Sequence, residues 1–200
     1  MIYLHPASPL QASRSYWHTS FAILNNPRIS VARSKIVGKW AMDNDCFAAW
    51  DANRFMKALE YHKGLPECLF VVCPDVVGNA AQTLHRWHIW HSVIREYGYP
   101  VAFVAQNGLR LEDVPFDDMQ ALFIGGDNSF KLGAFVADVV KEAKRRGCHV
   151  HMGRVNSLIR LEYANAIGCD SVDGSKIRFE PEFIKRYPAY LINKQELLWS

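Results

Sequence analysis

The sequence predicts an α/β fold, a compact (β/α)8 TIM-type barrel forming a single domain over residues 1–200. Three observations lead there. Short apolar runs end in a small or polar residue, most are followed by a stretch of helical spacing, and the length suits one sizeable core. Alternating strands and helices imply a parallel sheet covered on both faces. An open doubly wound sheet is the alternative arrangement of the same elements.

Eight runs read as strands: Ile2 to Leu4, Ile29 to Ala32, Lys39 to Met42, Leu69 to Cys73, Val101 to Ala105, Ala121 to Ile124, His149 to Met152 and Cys169 to Val172. Between them Ala80 to Tyr97, Lys131 to Arg146 and Ser157 to Ala166 repeat apolar residues at threes and fours, the spacing of an amphipathic helix. The second of these closes on Lys144-Arg145-Arg146-Gly147, cations and then a glycine, which suits a helix C-terminus. No fixed-period repeat, low-complexity tract or linker divides the chain.

Composition narrows the class. Half of the residues are hydrophobic and 22% are charged, with six Trp, eight Tyr and eleven Phe, which excludes a disordered chain. A net charge of +3 permits a polyanionic partner without demanding one. The cations gather at Lys141, Lys144, Arg145, Arg146 and Arg154 and again at Lys176, Arg178, Lys185 and Arg186, either as a solvated face or against phosphates. Five cysteines without a C-x-x-C pair read as free thiols in a reducing compartment, and no zinc site is expected. No signal-like N-terminus or membrane-length apolar run is present, so a cytoplasmic protein with no membrane partner is expected.

In a barrel of this kind the loops after the strands converge on one mouth, so the strand ends are where chemistry gathers. They read Met42-Asp43-Asn44-Asp45-Cys46-Phe47, Cys73-Pro74-Asp75, Ala105-Gln106-Asn107-Gly108, Ile124-Gly125-Gly126-Asp127, Met152-Gly153-Arg154 and Ser171-Val172-Asp173-Gly174. Each has an ordinary structural reading, because Asp and Asn cap turns and helices and Gly supplies positive φ. Their order and spacing add a second reading.

That ordered set resembles the tRNA-guanine transglycosylase superfamily from about Trp40 to Ser175. Asp43 and Phe47 fall at the aspartate and aromatic of its T-D-S-G-G-[FY] motif, with Asp45 and Cys46 in place of the two glycines. Phe70 to Asp75 is similar to the strand presenting the guanine-reading aspartate, Phe103 to Gly108 to the G-[IV]-[VQ]-Q-G strand, and Leu122 to Gly126 to the [IV]-G-G loop. Met152-Gly153 matches M-G, and Cys169 to Asp173 matches D-x-F-D, whose second Asp is the family's nucleophile.

The resemblance implies a pentosyltransferase that exchanges guanine through a covalent aspartyl-glycosyl intermediate. Asp173 would be the nucleophile and Asp43 the general acid and base. Phe47, Asp75, Gln106, Gly125 and Gly126 would bind the base, and the target nucleotide would be flipped out. Arg154, Asn156 and Ser157 would contact nucleic-acid phosphate. No cofactor is required. Two departures refine it. The family's C-x-C-x-x-C…H zinc element is absent after Asp173, which is similar to the compact bacteriophage-type DNA-guanine transglycosylases and favours DNA over tRNA. Lys131 stands where bacterial enzymes carry an acidic residue, which implies a neutral co-substrate, 7-cyano-7-deazaguanine, among the free 7-deazaguanine bases.

Such a protein would work in the host cytoplasm if virally encoded, alone, as a homo-oligomer or with a partner subunit. A guanine-releasing glycosylase and an inactive nucleic-acid-binding subunit are the rival functions. His149 and His151 alternate on one strand face, as metal ligands or as core and rim histidines; His85, His88 and His91 read as part of a packed aromatic helix beside Trp87 and Trp90.

Overall fold

Eight short strands, buried on both faces and all parallel, close on themselves in chain order, with β1 (Ile2–Pro6) pairing β8 (Ser171–Asp173). Between them run β2 (Phe21–Asn25), β3 (Trp40–Met42), β4 (Cys68–Val72), β5 (Val101–Ala105), β6 (Ala121–Ile124) and β7 (His149–Met152). This is a TIM-type α/β barrel in a computed structural model that describes residues 1–6 and 21–175. The closed sheet replaces the doubly wound alternative. The basic cluster from Lys176 to Arg186 lies outside the described residues.

Strand alternation divides the core in two. Leu4, Leu24, Ala41, Phe70, Val72, Ala102, Val104 and Ala121 fill the barrel interior, and the alanines leave room for the Phe70 ring. The alternate residues, including Tyr3, Ile23, Trp40, Val71, Phe103, Leu122, Val150 and Val172, face outward against the helices. There they meet Phe55 and Leu59 of α1 (Ala52–His62), Trp87 and Ile94 of α2 (Ala80–Glu96), Val139 and Val140 of α4 (Ala134–Arg145) and Leu161 of α5 (Leu158–Ala166).

Side-chain caps start these helices. Asp51, Asn79 and Ser157 accept the amides of Arg54, Gln82 and Arg160 respectively, satisfying N–H groups that the first turn leaves unpaired. The crossovers after β2 and β5 contain only single 3-10 turns, Arg33–Lys35 and Leu111–Asp113, which is how the barrel closes within a short chain.

Three expectations are corrected. Ile29 to Ala32 forms no strand: Ile29 is 56% exposed, and the apolar run Phe21–Asn25 takes the place between β1 and β3. The helix expected from Lys131 to Arg146 is two helices, α3 (Asn128–Lys131) and α4, because the chain breaks at Leu132 and Gly133, with Gly133 as the N-cap of α4. The last strand begins at Ser171 rather than Cys169 and includes Asp173. Among the described residues no helix is long and apolar enough to cross a membrane.

Candidate functional site

The C-terminal ends of the strands surround a pocket of about 400 Å³. Its lining includes Asp43 after β3, Asp75 after β4, Gln106 after β5, Gly125 and Gly126 after β6, Gly153 and Arg154 after β7, and Asp173 at the end of β8. Residues far apart in the chain thus converge because every parallel strand points its C-terminus at the same mouth.

The three carboxyl groups sit in different surroundings. Asp43 accepts the backbone N–H of Asn44 at 2.8 Å. Burial, followed by the negative charge of Asp173, pushes its carboxyl from the ordinary 3.8 up to about 7. Asp75 is 6% exposed, and burial raises it too. Its oxygens accept Nδ2 of Asn44 at 2.8 Å and Nε2 of Gln106 at 2.6 Å, which partly offset that rise. Asp173 accepts the backbone N–H of Arg154 on Oδ1 at 2.9 Å, and its Oδ2 lies 2.9 Å from Nε2 of His151.

Two cations complete the wall. The break between α3 and α4 follows Lys131, whose side chain is buried and donates to the Gly153 carbonyl at 2.8 Å. Burial, then the Arg154 charge, lowers its ammonium from 10.5 to about 8. Arg154 holds φ at 58°, donates to the Gly126 carbonyl at 2.9 Å and lies 4.6 Å over the Phe47 ring. Phe47 is 69% exposed and forms an outer shelf. Asp45, where the resembling motif has glycine, adopts φ 61°, a left-handed conformation that Asp tolerates better than most residues.

Several expected contacts are already occupied. Gln106 accepts the Gly78 N–H as well as donating to Asp75, so both ends of its amide are engaged within the barrel. The Gly125 N–H donates to the Ala105 carbonyl in the strand ladder. Asn156 lines the pocket and accepts the Ser175 N–H, whereas Ser157 caps α5 outside the pocket lining. Arg154, Asn156 and Ser157 therefore do not converge as one pocket-lining group.

His149 and His151 point into the barrel interior, where both lie within hydrogen-bond reach of Ser171 Oγ. Among the described residues no three His, Cys, Asp or Glu side chains form a metal-holding group. His91 stacks on Trp87, with ring centroids 5.1 Å apart, and Trp90 packs edge-on against Trp50 and Phe55, whereas His85 and His88 are exposed and stand outside that packing.

No family model and no curated protein matches the chain. Among solved structures it is similar to the PaMucR phosphodiesterase in its c-di-GMP complex, with 15% identity, a TM-score of 0.44, and coverage of 70% of this chain and 60% of that one. It is also similar to the Bacillus subtilis YkuI protein, which has an EAL domain and was solved with c-di-GMP and calcium. That match has 16% identity, a TM-score of 0.42, and coverage of 83% of this chain and 47% of the other. The chain thus spans less than two thirds of either neighbour. These likenesses concern the barrel.

The expected function is corrected here. These neighbours are a phosphodiesterase and an EAL-domain protein, not transglycosylases, and guanine exchange for a 7-deazaguanine in DNA or tRNA is not carried forward. The physical reason lies in the motif argument itself. A parallel barrel presents polar strand ends in chain order whatever its chemistry, so six short motifs each at a strand end report the fold first. The DNA-modification and bacteriophage setting rested on that activity and goes with it.

Proposed function

We propose that the chain is an enzyme, a hydrolase that cleaves small polar substrates at an acetal-type carbon using the carboxyl pair Asp43 and Asp173. The observation that carries this reading is their unequal environment in one pocket: Asp43 is pushed up to about 7 by burial and by Asp173, while Asp173 is held by two partners. A carboxyl that keeps its proton near neutral pH beside a second, hydrogen-bonded carboxyl group is an arrangement that acid–base cleavage can use. In the proposed step Asp43 gives its proton to the leaving group as the bond to carbon breaks. Asp173 takes a proton from the attacking water, whose oxygen forms the new bond to that carbon, so that acid and base act on opposite sides of the exchange.

Asp75 is the anchor for a hydrogen-bond donor of the substrate, since Asn44 and Gln106 hold its carboxyl in place at the pocket wall. Lys131 and Arg154, which also line the pocket, favour a polar or anionic group. The test is reducing-sugar release from a panel of small O- and N-glycosides by the wild type, Asp43→Asn and Asp173→Asn. Both variants should lose at least about a hundredfold in kcat/KM, the usual share of a general acid or base. Undiminished turnover by either variant, or no turnover of any panel member by the wild type, would refute the assignment.

A further inference from the structure

Below the pocket, among the described residues, the interior of the barrel is apolar except along β7 and β8, where side chains that alternate inward form a continuous polar column. His149 Nε2 lies 2.7 Å from Ser171 Oγ, Ser171 Oγ lies 2.8 Å from His151 Nδ1, and His151 Nε2 lies 2.9 Å from Asp173 Oδ2. Ser171 and His151 are fully buried, and Phe70 and Phe123 pack their rings around the column. His149, the first residue of β7, is half-buried at the opposite end of the barrel from the pocket.

We propose that Ser171 and His151 are positioning residues for Asp173, and that His149-Ser171-His151 is a hydrogen-bond relay linking the N-terminal end of the barrel to the carboxylate at its mouth. The proposal rests on the hydrolytic reading for its purpose but not for its geometry.

Donor and acceptor counting fixes the direction. A carboxylate only accepts, so His151 Nε2 carries the hydrogen. Neutral His151 then has a bare Nδ1, which must accept, and the one hydroxyl hydrogen of Ser171 supplies it. Ser171 Oγ is left as an acceptor for His149 Nε2–H. With both imidazoles neutral, every donor in the column has one acceptor. Reversing any single bond leaves two hydrogens or two lone pairs facing each other in a dry interior, at a cost of about 1–3 kcal/mol. The chain therefore locks the His151 tautomer and orientation, and His151 with the Arg154 N–H locks Asp173.

The same order carries a proton. One arriving at His149 Nδ1 moves by three transfers, from His149 Nε2 to Ser171 Oγ, from Ser171 Oγ to His151 Nδ1, and from His151 Nε2 to Asp173 Oδ2. Each transfer breaks one N–H or O–H bond and makes the next. The end state is a neutral carboxylic acid at Asp173 and a neutral His149 with its hydrogen on Nδ1. Asp173 cannot then act as a base, so the relay is a switch that acid turns off. His149 is faced by His151, by Asp170 just before β8, by Lys144 of α4 and by Lys39 before β3. Asp173 is faced by Asp43, Lys131 and Arg154. Burial first, then His151, lowers His149 from 6.5 to about 4, which keeps His149 neutral near pH 7.

Long-range 1H–15N NMR of the substrate-free protein tests this directly. His149 and His151 should both appear as neutral Nε2–H tautomers at pH 7, with His149 unprotonated down to about pH 5. Ser171→Ala should replace the single His151 tautomer by a mixture, lower kcat about tenfold with little change in KM, and move the acid limb of the rate profile; Ser171→Thr should restore the tautomer. A His151 Nδ1–H tautomer in the wild type at pH 7, or a His149 midpoint near 6.5, would overturn the relay. So would a Ser171→Ala protein whose His151 tautomer is unchanged. Because the tautomers are read without substrate, they stand even if no glycoside is turned over, a result that would refute only the hydrolytic reading.

Discussion

Asp43→Asn should make the protein more stable at neutral and alkaline pH. Folded, Asp43 binds its proton up to about pH 7, against 3.8 for an ordinary aspartate. The folded chain therefore holds a proton that the unfolded chain has released across that interval. The stability Asp43 contributes is complete below about pH 4 and is lost as pH rises through about 7. At about 1.4 kcal/mol per pH unit the interval corresponds to about 4 kcal/mol; pocket water screens the group and Asp173 relaxes once its neighbour is neutral, so about 2 kcal/mol is the expected measurable part. Asparagine keeps the oxygen that accepts the Asn44 N–H and never ionises. Urea unfolding of both proteins from pH 4 to 9 should show the variant gaining on the wild type between about pH 4 and 7 and holding that gain above. A stability difference independent of pH would refute the burial argument, and with it the assignment of Asp43 as the proton donor.

Two further substitutions test the frame of the pocket. Gln106→Leu removes the Nε2 donor 2.6 Å from Asp75 and the acceptor for the Gly78 N–H, and should cost about 2–4 kcal/mol in urea unfolding; a loss under about 0.5 kcal/mol would mean that water replaces both bonds. Gly174→Ala would place a methyl group 2.6 Å from the Val155 carbonyl and 2.9 Å from the Tyr3 hydroxyl, and should cost about 1–3 kcal/mol, read as a lower Tm.

What the sequence discloses follows the physics of each element. The strands Val101–Ala105, Ala121–Ile124 and His149–Met152 are legible residue for residue, since each is a short apolar or alternating run bounded by turn residues. The second strand is not, because Phe21–Asn25 and Ile29 to Ala32 are both short apolar runs, and only closure against β1 and β3 chooses between them. The break before α4 is hidden for a similar reason. Lys131 to Arg146 keeps its helical spacing through Gly133, yet the break there accompanies the burial of Lys131 beside Gly153. The strand-end carboxylates are legible as a group, while their roles are not, because the differences among them depend on partners remote in sequence.

Those differences separate three aspartates that look alike in the chain. Asp75 is gripped by Asn44 and Gln106, side chains from two other strand ends, and such a group is better placed to hold a ligand than to exchange protons. Asp43 accepts the backbone N–H of Asn44 and lies near another negative charge, the condition under which a carboxyl keeps its proton near neutral pH. Asp173 lies over a polar column that occupies space a barrel of this size would ordinarily fill with aliphatic side chains. Replacing hydrocarbon by two histidines and a serine in a buried interior is unfavourable unless the polar atoms are paired, and with Asp173 ionised the pairing is complete when the column points its last donor at Asp173. Packing alone would be served by apolar side chains of matching size at these positions. The column therefore has to be explained by the carboxylate it supports.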